Sequence, residues 1–131
     1  MPTDFNKIMD WAANVSFAVT VCDCEGFILY MNARSKETFS GRGELIGKNL
    51  KECHSPKSWD LIQKLLKERA TNMYTIDKKG VKKLIYQTPW YRDVAANYRN
   101  NTDCGTNSAK ELGGLVEISI VINNDMPHYI R

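Results

Sequence analysis

The chain has 131 residues, enough for one domain that buries an ordinary core without disulfides or a metal to staple it. Hydrophobic residues make up 43% and charged residues 25%, and no window approaches the run of about 18 apolar residues that a membrane span needs. The net charge of +3 is too small to imply a nucleic-acid partner, and the one basic cluster (Lys78, Lys79, Lys82, Lys83) reads as a solvated hairpin tip.

The N-terminus, "MPTDFNKIMDW", lacks the basic-then-apolar pattern of a secretory signal, so the expected setting is the cytoplasm, with no membrane partner. Cys22, Cys24, Cys53 and Cys104 are then expected to be thiols rather than a disulfide framework.

Residues 4–14 carry Phe5, Ile8, Met9 and Ala12 at the spacing of an amphipathic helix, with Trp11 widening the stripe. In "VSFAVTVC" the apolar residues alternate, as in a half-buried strand. "DCEG" is a turn and "FILYMN" a second strand, so 15–32 reads as a β-hairpin. "ARSKETF" gives about two helical turns before the glycines of "GRGELIGKNL" interrupt. A longer helix follows from about Pro56 to Ala70, with Trp59, Ile62, Leu65 and Leu66 in one apolar stripe.

"NMYTI" and "VKKLIYQTPWY" flank "DKKG" as a second hairpin, in which Pro89 marks an edge, a bulge or a break. "GGLVEISIVI" closes the domain, with Val116, Ile118, Ile120 and Ile122 on one face and Glu117 and Ser119 on the other. The polar stretch 93–112 is long for a hairpin connection. Residues 123–131 form a tail. The order helix, β-β, helices, β-β-β predicts a single α+β domain over 1–131, with a five-stranded antiparallel sheet and helices on one face.

That order resembles a PAS domain across about residues 12–122. The features that carry it are "VSFAVTVCDCEGFILYMN" with its strand-ending Asn32, "LIGKNL" before the long helix, and "GLVEISIVI". "CHSPKSWDLIQKLL" is similar to the "CHPPKS" stretch of PAS domains that follow hemerythrin-like modules in some bacterial and archaeal proteins; the long 93–112 loop departs from that group. The resemblance implies strand order 2-1-5-4-3 over a PAS core at 15–122. It also implies a pocket between helices and sheet, and a sensory role through a small ligand or through pairing with itself or a signalling partner.

Cys53 and His54 stand directly before the long helix. Ser55 fits its N-cap and Pro56 its first position. Either Cys53 packs inward while His54 bonds nearby backbone, or both stand at the pocket mouth beside the positive helix end. Asn32, Trp59, Tyr74, Tyr86 and Trp90 complete the candidate ligand contacts, although core is the more frequent place for aromatics at strand spacing.

The cofactor stays open. Haem is less favoured because His54 precedes the helix rather than lying within it, and His128 is in the tail. Flavin chemistry of the LOV type is rejected. Where those domains have a motif similar to "GxNCRFLQ", this chain has "GKNLKECH", which puts Leu50 at the reactive-cysteine position; the glutamine expected on the last strand is also missing. Paired zinc-ligand spacings and catalytic constellations are not found, so no metal and no enzyme activity is expected. The expected function is a cytoplasmic sensory domain that binds a small ligand and signals through a homodimer or a partner. The alternative is a ligand-free dimerisation module. In either case Phe5, Ile8, Met9, Trp11 and Ala12 are the candidate self-association surface.

Overall fold

Five antiparallel strands are hydrogen-bonded in the order β2-β1-β5-β4-β3: β1 (Ala18–Asp23), β2 (Ile28–Met31), β3 (Asn72–Lys78), β4 (Val81–Asp93) and β5 (Lys110–Val121). The structure is a computed structural model and describes residues 9–93 and 110–131. Three helices, α1 (Ala33–Thr38), α2 (Leu50–Cys53) and α3 (Pro56–Glu68), lie between β2 and β3 in sequence and cover one sheet face. This is the expected α+β arrangement, strand order included. No described helix is long and apolar enough to cross a membrane.

Local chemistry accounts for the element ends. In the first hairpin Asp23 Oδ1 accepts from the backbone N–H groups of Glu25 and Phe27, each at 2.9 Å. Gly26 there has φ +91, a conformation that glycine takes without steric cost. The second hairpin turns on Lys79 (φ 53) and Gly80 (φ 81), the two consecutive positive angles of a primed two-residue turn. Ser55 Oγ caps α3 by accepting from Ser58 N at 3.2 Å, Pro56 opens it, and Arg69 closes it in the left-handed conformation.

Pairing of β3 with β4 ends at Asn72↔Gln87. Pro89 therefore sits where β4 has β5 as its only partner strand, and its missing N–H disturbs no second ladder. At the other end the ladder outruns the expectation. Arg92 pairs with Glu111 and Asp93 with Lys110, so both rims of the predicted 93–112 loop are strand. Its middle, with Cys104, lies outside the described residues.

The N-terminal segment also differs from the expectation. Of residues 9–14, Asp10–Ala12 form one 3-10 turn rather than part of an α-helix. Ala12 is fully buried against Val19, Val21 and Tyr30 on the sheet face away from the helices, with Met9 packed beside it. Trp11 stays 61% exposed. Phe5 and Ile8 lie outside the described residues.

Asn32 ties this segment down. Its Nδ2 donates to Ala12 O and Phe17 O, each at 2.9 Å. Its Oδ1 accepts from Val19 N and Ser35 N, each at 3.0 Å. An amide offers two donor hydrogens and two acceptor lone pairs. All four are used, at a side chain that is 2% exposed.

Candidate functional site

Directly opposite residues on antiparallel strands share a sheet face, so the pairing registers sort the side chains. One row runs Asn72–Gln87–Glu117–Thr20 across β3, β4, β5 and β1. A parallel row one residue along runs Met73–Tyr86–Ile118–Val19 and must face the other way. Val19 packs with Ala12 on the outer face, whereas Thr20 bonds Ser35 of α1, Oγ to Oγ, at 2.6 Å. The polar row is thus the one beneath the helices.

Three of its members are linked in series. Asn72 Nδ2 donates to Gln87 Oε1 at 3.0 Å, and Gln87 Nε2 donates to Glu117 Oε1 at 2.9 Å. Gln87 is only 5% exposed, so its amide orientation is set by these two neighbours. Burial pushes the Tyr74 hydroxyl above its usual pKa, and the negative charge of Glu117 adds to the effect.

Two cavities lie between this floor and the helices. The first, of about 140 Å³, has largely apolar walls, among them Cys22, Ile28, Leu50 and Leu115. The second, of about 190 Å³, extends toward Tyr74, Ile85 and Ser119. They share Thr20, Phe39, His54, Ile62 and Glu117. Arg42, an exposed residue, lies 6.0 Å from the Phe39 ring centroid and lines the first cavity.

His54 combines the two roles the sequence left open. Its Nδ1 lies 3.2 Å from Leu50 O, and the ring also lines both cavities. A carbonyl only accepts, so the hydrogen belongs on Nδ1, and Nε2 of the neutral ring is an acceptor. Cys53 lines the first cavity and donates its thiol to Asn49 O at 3.9 Å. Cys22, deeper in the same wall, is pushed up to about 11 by burial, which makes it an inert thiol.

Of the seven candidate ligand contacts, Cys53, His54 and Tyr74 line a cavity. The other four lie elsewhere. The amide of Asn32 is used up as a clamp. Trp59 packs over Gly26, whose added Cβ would meet the ring at 2.5 Å. Tyr86 is on the outer face. Trp90 lies there too, stacked on Gly113, and donates Nε1–H to Cys22 O at 3.0 Å. Glu117, Gln87, Thr20, Phe39 and Arg42 line the cavities without being among those candidates, because the alternation along β5 separates an apolar from a polar face but does not tell which one meets the helices.

The fold has solved counterparts. The PAS domain of Bordetella pertussis BvgS superposes with a TM-score of 0.57 at 18% identity, covering 94% of this chain and 90% of that one. A PAS domain from Colwellia psychrerythraea gives 0.55 at 19%, covering 91% and 98%. The PAS domain of the histidine kinase ThkA gives 0.55 at 14%, covering 79% and 97%. At such identities the likeness is one of fold. No family model matches the sequence, and no curated protein matches it.

Proposed function

We propose that this chain, which has the PAS fold, is a sensory module that binds a small molecule between helices and sheet. One observation supports the reading above the others: the strand face beneath the helices is the polar one, with Gln87, Glu117 and Thr20 on the cavity floor. Polar groups withdrawn from water are unfavourable unless something pairs with them. A floor of this kind suits a ligand better than it suits a dry core. One neighbour in fold is the PAS domain of a histidine kinase, which supports a signalling role. The described cysteines Cys22, Cys24 and Cys53 are free, in keeping with a reducing cytoplasm.

The cavities suit a small molecule. An apolar cavity of about 150 Å³ holds benzene, and the four-pyrrole macrocycle of haem is several times larger than that.

Signal output is assigned to the outer sheet face. Met73 (59% exposed) and Tyr86 stand in one row there with Ile118, and the segment that carries the exposed Trp11 packs on the same face at its β1 end. An apolar face of this kind is suited to a second copy of the chain or to a signalling partner.

Thermal melts of wild type and Cys53→Phe against a set of small amines, alcohols, acids and aromatics test the binding reading. The added ring fills the first cavity. A hit should raise the wild-type melting temperature, by about 10 °C at a hundred times its Kd, and should leave the variant unmoved. Equal shifts in both proteins would remove the cavity as the site.

A further inference from the structure

We propose that the ligand of this cavity is a small amine or amidine: a protonated nitrogen at Glu117, carried on an apolar body about the size of a benzene ring. The inference rests on the ligand-binding reading above and adds the chemical class.

Glu117 occupies the middle strand of the sheet and the wall common to both cavities. Its Oε1 accepts from Gln87, and its second oxygen has no partner among the described residues. The ion pairs of the described residues, Arg34–Glu37 and Arg92–Glu111, leave Glu117 out. Gln87 spends its own oxygen on Asn72 and so must turn its N–H to the carboxylate. The chain therefore orients this carboxylate without supplying a cation to neutralise it. His54, on the same shared wall, offers a second acceptor at Nε2, since Nδ1 faces Leu50 O. Two acceptor-bearing residues on one shared wall call for a ligand head rich in N–H donors, and a charged donor forms the stronger bond.

The lining cations do not reverse this preference. Lys83 is four residues from Gln87 along β4, about 13 Å at the usual strand rise, and Lys78 lies beyond it at the turn. Arg42 is an exposed residue over Phe39. An anion held by Arg42 would share the first cavity with the Glu117 carboxylate. The remainder of the ligand meets Ile28, Ile62 and Leu115, and the volume of about 140 Å³ limits it to a single ring or a short chain.

Benzylamine, benzyl alcohol and benzoate have nearly the same shape and differ in head group, so they isolate the proposal. Each is titrated into the 15N-labelled chain, and backbone amide shifts are followed at Thr20, Ile62, Leu115 and Glu117. Benzylamine should bind at these residues on the order of tenfold more tightly than the alcohol, with benzoate weakest. Glu117→Gln should abolish the advantage of the amine over the alcohol. If the alcohol or benzoate binds the cavity as well as the amine does, the ligand-binding reading stands and the amine assignment fails. Retention of the amine preference in Glu117→Gln also overturns the assignment. If no probe moves these amides, the assignment fails together with the reading of the cavity as a binding site. The wild-type ranking decides by itself should the variant not fold.

Discussion

Gln87 holds Glu117 by an Nε2–H···Oε1 bond of 2.9 Å while accepting from Asn72 at 3.0 Å, so one amide on β4 sets the orientation of a carboxylate on β5. These residues form a chain rather than separate contacts. Removing the middle member strands both ends.

Gln87→Leu should therefore destabilise the fold by about 0.5–1.5 kcal/mol for each hydrogen bond removed, since it leaves the half-buried Asn72 and Glu117 without this partner. Gln87→Glu should do worse than its near-identical shape suggests, because it replaces the donor facing Glu117 with a second carboxylate. Urea unfolding of the three proteins checks the order wild type, Leu, Glu. A Glu variant as stable as wild type would contradict the bond as described.

Asn32→Ala removes four hydrogen bonds at once and should be among the most damaging single changes in the chain. An ordinary lost helix cap amounts to about 0.5–2 kcal/mol, and here the backbone groups of Ala12, Phe17 and Val19 lose their partner as well. A loss above about 3 kcal/mol is expected. Asn32→Asp keeps the acceptor but turns the donor side into a second acceptor against two carbonyls, so it too should destabilise strongly. Denaturant midpoints for both variants are the measurement. A loss no larger than that of an ordinary cap would show that the clamp is redundant.

Much of this architecture is legible in the chain because alternation, turn residues and caps are local signals. Asp23 and Gly26, Ser55 and Pro56 do in three dimensions what their residue types suggest. The faces of the sheet are not local. Whether Glu117 or Ile118 meets the helices depends on which side the segment 33–68 crosses, and nothing within β5 encodes that. The usual expectation of apolar residues beneath the helices therefore misplaces the pocket floor. The N-terminal stripe misleads in a related way. A period compatible with a helix does not prevent a 3-10 turn once Ala12 and Asn32 anchor the backbone. Trp90 reads as a pocket aromatic, yet Gly113 gives its ring a place to lie on the other face.

Cys22 gives a signature at alkaline pH. Its folded-state pKa of about 11 lies above the unfolded value of 9.0, so the unfolded chain loses this proton first. The stabilising contribution is complete below pH 9 and declines as pH rises from 9 toward 11. The decline is about 2–3 kcal/mol at most. Urea unfolding between pH 8 and 11 should show a shallower loss for Cys22→Ala than for wild type. Parallel curves would contradict the buried thiol.

The outer face gives a prediction about assembly. Met73→Lys and Trp11→Ser change exposed side chains and should leave the monomer fold intact, with stability within about 0.5 kcal/mol of wild type. Sedimentation at micromolar concentration should show wild type as a dimer and the double variant as a monomer. The same species for both proteins would remove this face as the self-association surface.

Whether the space under the helices is a ligand site is decided by a crystal structure grown with a melting-temperature hit. Density for that molecule is expected between Glu117, His54 and Ile62, with Gln87 still bonded to the carboxylate. Density seated elsewhere, or a helix–sheet interface closed and empty at saturating ligand, would contradict a ligand site there.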